Sequence, residues 1–323
     1  MTKDMFLEEV KSRILDFVPD EYQDYSVKIS EVVKPGDTVL HGMSLIKGKS
    51  GTAPLLYLEP FAKAVEDGCS MDKALYEIAC EYSKIMNIAP KIEAPDLQLD
   101  KIKDNLRLRV LYKRTNENLI KDLVCANVGC EYVLAVYADM SDDLFDGAII
   151  NIREEMLESL GREKGELIYE ALSSSLQHNP ARLTYIKDEL GFNITGGDPK
   201  DLLSCDEPYD PECSILVLST DDRFSGATAL FYPGMQREIA EYIGQSYFVL
   251  PSSTREVLIL PDSGEHSAED LAKMVKMVNE NEVSPDERLG NRVLYFDALT
   301  MQLSVACDLD KDKDREKENE IER

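Results

Sequence analysis

Two short apolar runs, Tyr247–Leu250 and Val257–Leu260, lie close together in the C-terminal part of the chain. Neither run is interrupted by a charged side chain, and the six residues between them, PSSTRE, are polar or turn-forming. Consecutive apolar positions are typical of strands whose two faces are both buried. The stretch SYFVLPSSTREVLILPD therefore predicts two central strands joined by a tight turn, and such a sheet needs cover on both faces.

The N-terminal part of the chain alternates between helical and strand patterns. The predicted elements are a helix over 3–17, strands over 25–33, 38–46 and 55–58, and helices over 60–67 and 71–86. The last helix follows Ser70, a favourable N-cap residue, and carries an apolar stripe at helical spacing. That stripe consists of Leu75, Ile78, Ala79, Tyr82 and Ile85. Residues 87–96 contain two prolines and no periodicity, so they predict a boundary near residue 94 between portions 1–94 and 95–307.

The larger C-terminal portion mixes strands and helices. A strand is predicted over 106–112, and helices over 116–123 and 165–190, the last interrupted at Asn179-Pro180. From residue 214 the pattern is two strands, a helix and two strands, followed by a helix over 268–281 after the N-cap residue Ser267. The inward residues of this last helix are expected to be Leu271, Met274, Val275 and Val278. A final hairpin pairs 293–296 with 303–306, and the acidic residues 308–323 are expected to be disordered.

Two segments, 131–161 and 214–244, resemble each other. Each runs from an apolar strand into an Asp-Asp turn, a second strand opened by glycine, and a short helix that ends in glycine. The closing residues, Gly161 and Gly244, suit the left-handed conformation found after helices. The pattern suggests a duplicated ββα unit, although two similar segments also arise by chance. The fold class predicted from all elements is α+β, with mainly antiparallel sheets covered by helices.

The formal net charge is −26 over 323 residues. A chain this acidic is poorly suited to binding nucleic-acid phosphates or an acidic membrane surface directly. It suits either a solubilising acidic surface or a mimic of nucleic acid that occupies a basic partner. No run approaches the roughly 18 apolar residues of a membrane helix, and the charged N-terminus does not resemble a signal peptide. We therefore expect a cytoplasmic protein.

Cofactor and metal motifs are absent from the sequence. The seven cysteines form no CxxC pair, and none lies beside a histidine, so a zinc site is not expected. The loop Gly48-Lys49-Ser50-Gly51 has Met43 where a phosphate-binding loop needs its first glycine. No serine lies in a GxSxG motif. We expect no cofactor, no metal and no identifiable catalytic residue.

Acidic side chains collect in two turns and one loop: Asp142-Asp143, Asp221-Asp222, and Asp206, Glu207 and Asp210. Clustered carboxylates serve divalent metals and glycosyl transfer, but they are also common in the solvated turns of an acidic protein. The turn at 221–223 and the turn between the two central strands together give a candidate surface site. Its members are Asp221, Asp222, Arg223, Ser252, Ser253, Arg255 and Glu256.

Several phrases also resemble a known family. YFVLPSSTREVLILPD, with ALFYPG before it and NRVLYFDALTMQLS after it, is similar to an uncharacterised family of proteins from anaerobic gut bacteria. LLYLEPFAKAVEDGCSMDKALYEI and GAIINIREEMLESLG extend the resemblance over most of residues 5–306. Arg255 stands where the similar phrase is expected to have histidine, so this chain has no imidazole there. The resemblance implies no activity, cofactor or catalytic residue.

Three hypotheses of function remain open. The first is a non-catalytic binding or adaptor protein with a protein partner, because every catalytic grouping in the sequence is weak. The second is a hydrolase that depends on loop carboxylates or a metal, which requires Asp221, Asp222 and Arg223 to converge with Ser252 or Glu256. The third is an acidic nucleic-acid mimic, which requires acids in rows on one surface. The sequence leaves the oligomeric state open.

Overall fold

The structure is a computed structural model. It describes residues 1–48, 53–88, 102–140, 149–195, 198–213, 215–251 and 253–311. The chain forms two compact units: Met1–Lys34 with Thr38–Ile102, and Pro35–Asp37 with Lys103–Arg323. The boundary expected near residue 94 lies outside the described residues and stays a prediction.

The first unit packs helices on a small antiparallel sheet. Its elements are α1 (Lys3–Arg13), β1 (Ser26–Lys34), β2 (Thr38–Ile46), β3 (Leu56–Tyr57), α2 (Glu59–Glu66) and α3 (Met71–Ile88). The sheet order β1-β2-β3 confirms the three predicted strands. Tyr82 of α3 is fully buried, and its hydroxyl accepts a hydrogen bond from the N–H of Leu45 (2.8 Å) and donates one to the carbonyl of Pro54 (3.1 Å). The polar atom of this core residue is therefore satisfied.

The described residues of the second unit form two larger sheets. Its strands are β4 (Leu106–Tyr112), β5 (Cys125–Gly129), β6 (Tyr132–Asp139), β7 (Ile149–Asn151), β8 (Ala181–Tyr185), β9 (Leu216–Thr220), β10 (Tyr247–Leu250), β11 (Val257–Pro261), β12 (Arg292–Asp297) and β13 (Gln302–Asp308). Its helices are α4 (Glu117–Ile120), α5 (Leu157–Leu160), α6 (Lys164–His178), α7 (Ile186–Thr195), α8 (Met235–Ile243) and α9 (Ala268–Asn281).

The six-stranded sheet has the order β13-β12-β10-β11-β9-β8, and all its neighbours pair antiparallel. The two strands predicted from the SYFVL and VLILP runs occupy its middle, with Val249 opposite Ile259. Both residues are fully buried. The other sheet, of β4 to β7, is also antiparallel. The α+β prediction is confirmed.

The two segments of the suggested ββα duplication differ at the second strand, which only the first segment forms. In segment 131–161, β6 pairs with β7, and a short helix ends at Gly161 with φ +62°. In segment 214–244, the residues expected to form the second strand, Gly226–Phe231, form a 3-10 helix instead. A Cβ on Gly226 would lie 1.9 Å from the carbonyl oxygen of Arg255. This close approach packs the 3-10 helix against the β10–β11 turn, where the N–H of Ala227 donates to the carbonyl oxygen of Thr254 (3.1 Å).

The predicted helix over 165–190 is also wrong in its middle. It consists of α6, the strand β8 and α7. Asn179-Pro180 ends α6, because proline cannot continue the helical hydrogen bonding. The five residues that follow pair with β9 along its whole length, from Ala181 opposite Thr220 to Tyr185 opposite Leu216. A five-residue strand between two helices leaves a weak pattern in the sequence, and the partner strand lies about 35 residues away.

Strand β4 alternates apolar residues with Arg107 and Arg109 in its first half, yet Arg109 is buried. Its Nε and Nη2 atoms have no hydrogen-bond partner among the described residues. Burial lowers the pKa of Arg109 to about 10. Arg107, two residues away on the same face, donates instead to Ser174 Oγ of α6 (2.7 Å). The strand is therefore covered on both faces, which the alternating pattern does not show.

Helix α9 covers one face of the six-stranded sheet and is fixed at both ends. Ser267 Oγ accepts a hydrogen bond from the N–H of Asp270 (3.1 Å), as the predicted N-cap requires. Near the other end, the buried Asn279 donates through Nδ2 to the carbonyl oxygen of Gly290 (3.1 Å). Leu271 and Val275 are buried as predicted, together with Ala272. The expectation that Met274 and Val278 also face inward is wrong, because both side chains are exposed.

Ordered structure extends beyond the predicted end at residue 307. Asp308 is the last residue of β13, and its Oδ2 lies 2.8 Å from Nη2 of Arg292, a fully buried arginine. The Asp310 carboxylate accepts hydrogen bonds from the N–H and the side chain of Asn291, both at 2.8 Å. Residues 312–323 of the expected disordered tail lie outside the described residues.

Candidate functional site

The two acids predicted at the end of β9 form contacts within their own turn and with the neighbouring strand β8. Asp222 Oδ1 accepts hydrogen bonds from Thr220 Oγ1 (3.0 Å) and from the N–H of Phe224 (2.9 Å). Asp221 Oδ1 lies 3.6 Å from Nε of Arg182 on β8. These contacts stabilise the turn and the pairing of β8 with β9. They do not direct both carboxylates towards one point.

The polar turn between β10 and β11 is also occupied by structural contacts. Ser253 Oγ accepts a hydrogen bond from the N–H of Arg255 (3.1 Å), and the Arg255 carbonyl accepts one from Ser219 Oγ (2.8 Å). The Arg255 side chain pairs with Glu287 through Nε and Oε1 at 2.8 Å. Ser252 lies outside the described residues. The described serine therefore holds its own turn, which is what serines in turns commonly do.

One of the predicted residues, Arg223, is paired with a carboxylate that sequence reasoning missed. Arg223 forms a bidentate ion pair with Glu189 of α7, at 2.6 Å and 3.2 Å, and Thr184 Oγ1 donates to Glu189 Oε1 (2.7 Å). Burial raises the pKa of Glu256, and the nearby Glu189 carboxylate raises it further, whereas Arg223 and Arg255 oppose this shift. The group is an Arg223–Glu189 ion pair whose charges act on the Glu256 carboxyl group. A lone glutamate on a helix gave no sequence signal for it.

This group does not provide the convergent active site that the hydrolase hypothesis requires. Among the described residues, no three His, Cys, Asp or Glu side chains come together in a way that could hold a metal ion. Asp221, Asp222 and Arg255 each have a structural partner, and Arg223 is committed to Glu189. The geometry therefore supports a rigid, hydrogen-bonded surface at the predicted residues. It supplies no convergent set of acids there.

An apolar surface on α9 is more distinctive. Met274, Met277 and Val278 have exposed fractions of 47%, 58% and 38%. At 100° per residue these three side chains share one flank of the helix, adjacent to the buried stripe. Lys276 lies on the opposite flank, where it faces Glu280 at 3.9 Å, whereas Lys273 lies four residues before Met277 and borders the apolar side chains. We call Met274, Met277 and Val278 the α9 flank.

The chain around the α9 flank is strongly acidic. Residues 265–287 contain seven acidic and two basic side chains. The two lysines have acidic neighbours on the helix itself, Asp270 for Lys273 and Glu280 for Lys276. The α9 flank is thus a set of exposed apolar side chains in a segment of net negative charge. Met side chains adapt their shape easily and are enriched at protein interfaces.

Comparison with known proteins places the chain without assigning an activity. The model of a family of unknown function, DUF5688, matches residues 3–298. No curated protein matches the chain, and no solved structure does. Across the part of the chain that is described, no helix combines the length and apolar character needed to cross a membrane.

Proposed function

Since the chain belongs to the DUF5688 family of unknown function, we propose a function from the structure: it is a non-catalytic protein-binding module that docks a partner on the α9 flank. The observation that carries this proposal is the exposure of Met274, Met277 and Val278 on a helix whose ends are fixed. Scattered apolar residues on a surface are normal, whereas a contiguous set on one helix flank is typical of a binding site. A rigid helix presents such a set without first having to order it.

The partner that fits this surface is an amphipathic segment with an apolar face and basic rims. Its apolar face would cover the methionines, and its Lys or Arg side chains would face the acids of residues 265–287. A second copy of the chain is a poor occupant, because each copy carries a net charge of −26. Residues 312–323 are also poorly suited, because Ile321 is their single apolar side chain. Charge complementarity therefore favours a basic protein segment.

The direct test uses a defined probe. A fluorescein-labelled amphipathic peptide of leucine and lysine is titrated with the full chain, and its anisotropy is followed. The flank variant Met274→Glu/Met277→Glu should weaken binding by about tenfold or more, the scale of losing central apolar contacts. The charge-matched control, Tyr76→Glu/Leu190→Glu, replaces two exposed apolar residues on other helices and should bind like the parent.

The outcomes separate specific docking from general attraction to an acidic protein. Equal weakening in both variants, or none in either, would overturn the proposal. A leucine–glutamate peptide should bind far less well than the leucine–lysine peptide, because its charge repels the acidic segment. Sedimentation across a concentration series tests the other occupant: a dimer that the flank variant abolishes would assign the α9 flank to a second copy.

The other hypotheses stay predictions. A nucleic-acid mimic would use rows of acids rather than an apolar flank, and its partner would be displaced by added nucleic acid. A hydrolase would need substrate close to Glu256 and Arg223, so Glu256→Gln would abolish turnover. Cytoplasmic location and origin in anaerobic gut bacteria also remain predictions.

A further inference from the structure

One cysteine of the second unit has a charged group on each side of its sulfur. Nζ of Lys187, in the first turn of α7, donates to Sγ of Cys213 at 2.6 Å. The Cys213 thiol in turn donates to Oδ2 of Asp210 at 3.2 Å. The Lys187 and Asp210 side chains are about half exposed, and Cys213 is half-buried. The group therefore lies at the protein surface.

The two charged groups are held in place by aromatic neighbours. The Lys187 ammonium lies 5.0 Å from the centroid of the Tyr185 ring, and the Tyr185 hydroxyl accepts a hydrogen bond from the N–H of Asp210 (2.8 Å). The same hydroxyl lies 3.2 Å from that of Tyr242, whose ring contacts Tyr209 edge to face. Tyr185 thus connects the lysine with the loop that carries Asp210 and Cys213.

The charges suit a reaction at the sulfur. The hydrogen bond to Cys213 raises the pKa of Lys187, which keeps it an ammonium. Hydrogen bonds from the Cys213 thiol and from the N–H of Glu212 lower the pKa of Asp210, which keeps it a carboxylate at neutral pH. The site therefore offers, beside one sulfur, an acceptor for the thiol proton and a donor that can protonate the group leaving the reagent.

Four other cysteines have different surroundings. Cys69, Cys130 and Cys205 each donate to a backbone carbonyl oxygen, at 3.6 to 3.7 Å. Burial raises the pKa of the Cys125 and Cys130 thiols, which disfavours their reactive thiolate forms. These thiols provide internal controls in the same molecule.

We propose that Cys213, with Lys187 and Asp210, is a site of covalent thiol modification by peroxide and other small soft electrophiles. With hydrogen peroxide, the sulfur attacks one oxygen, an S–O bond forms and the O–O bond breaks. The sulfur is oxidised by two electrons to the sulfenic acid, and the peroxide is reduced to water. The thiol proton passes to Asp210, Lys187 protonates the leaving hydroxide, and the proton on Asp210 then returns to Lys187, whose Nζ lies 3.9 Å from Oδ2 of Asp210. The net change is Cys213–SH plus H₂O₂ giving Cys213–SOH plus H₂O.

The experiment measures each cysteine in the intact, full-length chain. The protein is treated with limiting hydrogen peroxide and dimedone, or with iodoacetamide alone, and peptide mass spectrometry gives the modification rate at each cysteine. Cys213 should react first with both reagents. Lys187→Met should slow Cys213 by about tenfold, the scale of losing one charge-assisted hydrogen bond, and Lys187→Arg should retain much of the rate.

The matched control is Lys200→Met. Lys200 is as exposed as Lys187 but pairs with Glu207 at 2.7 Å, so its loss should leave the Cys213 rate unchanged. Asp210→Asn should also slow Cys213, because the proton acceptor is lost. Rates at Cys69 and Cys205 report on any general opening of the fold in each variant. The proposal is overturned if Cys213 reacts no faster than these two thiols. It is also overturned if Lys187→Met and Lys200→Met change the Cys213 rate equally.

Discussion

Helices α3 and α9 belong to different units and share two features, a serine N-cap and an apolar stripe, but the two stripes are buried to different extents. Each starts at a serine whose side-chain oxygen accepts a backbone N–H, Ser70 for α3 and Ser267 for α9. Each carries a full apolar stripe in the sequence. In α3 four of the five stripe residues are buried, with Ile78 and Tyr82 fully inaccessible, and Ile85 is half-buried. In α9 only part of the apolar stripe is buried, and the α9 flank remains in solvent.

The difference shows that a helix can carry more apolar surface than its own fold uses. The sheet beneath α9 accommodates Leu271, Ala272 and Val275. The next inward position is taken by Asn279, whose amide group bonds to the Gly290 carbonyl. Apolar residues left over after such packing contribute little to folding, so a binding role is a physical reason for their presence.

The largest expected effect tests whether the two buried stripes are equivalent. Ile78→Ala in α3 and Leu271→Ala in α9 should each lower the free energy of unfolding by about 2–5 kcal/mol, through lost transfer energy and a cavity. Urea denaturation followed by circular dichroism measures both. A negligible loss for Leu271→Ala would mean that α9 is not anchored on its sheet, and the comparison would fail.

A smaller effect tests whether the two helices start equally well. Ser70→Ala and Ser267→Ala each leave an N–H of the first turn without its side-chain acceptor. Each should cost about 1 kcal/mol. The same denaturation experiment applies, with Ser12→Ala as a control at an exposed serine that caps no helix. A loss at Ser70 but not at Ser267 would show that α9 is the weaker helix.

The smallest expected effect concerns the α9 flank itself. Met274→Ala and Met277→Ala should change the free energy of unfolding by no more than about 0.5 kcal/mol, because exposed side chains lose few contacts. Val275→Ala, between them in sequence but buried, should cost clearly more. Losses at the methionines as large as at Val275 would place them in a core and remove the basis of the proposed docking surface.

The centre of the six-stranded sheet could be predicted from the sequence because its strands are apolar throughout. The runs that became β10 and β11 have this property, and they form the centre of the six-stranded sheet as expected. Strand β8 was missed, because five residues of mixed polarity are defined by their pairing with β9 rather than by their own pattern. The apolar run at 226–231 was misread for a similar reason: it packs as a 3-10 helix against the β10–β11 turn.

The candidate surface was harder to predict than the fold. Periodicity identifies the apolar stripe of α9 but not how much of it a sheet can cover, so Met274 and Val278 were assigned inward. The contacts of Glu189 with Arg223 and of Lys187 with Cys213 join residues 34 and 26 positions apart. Such pairs depend on how β8, α7 and the following loop fold, which single-residue patterns do not encode.

The most direct test of the α9 flank observes its methionines individually. The protein is labelled with ¹³C at the methionine methyl groups, and methyl spectra are recorded as the leucine–lysine peptide is added. The expected result is that the signals of Met274 and Met277 shift. Those of the buried Met43 and of Met301, which is as exposed as Met274, should stay in place. Equal shifts at Met301, or no shift at Met274 and Met277 when the peptide binds, would contradict the proposed docking surface.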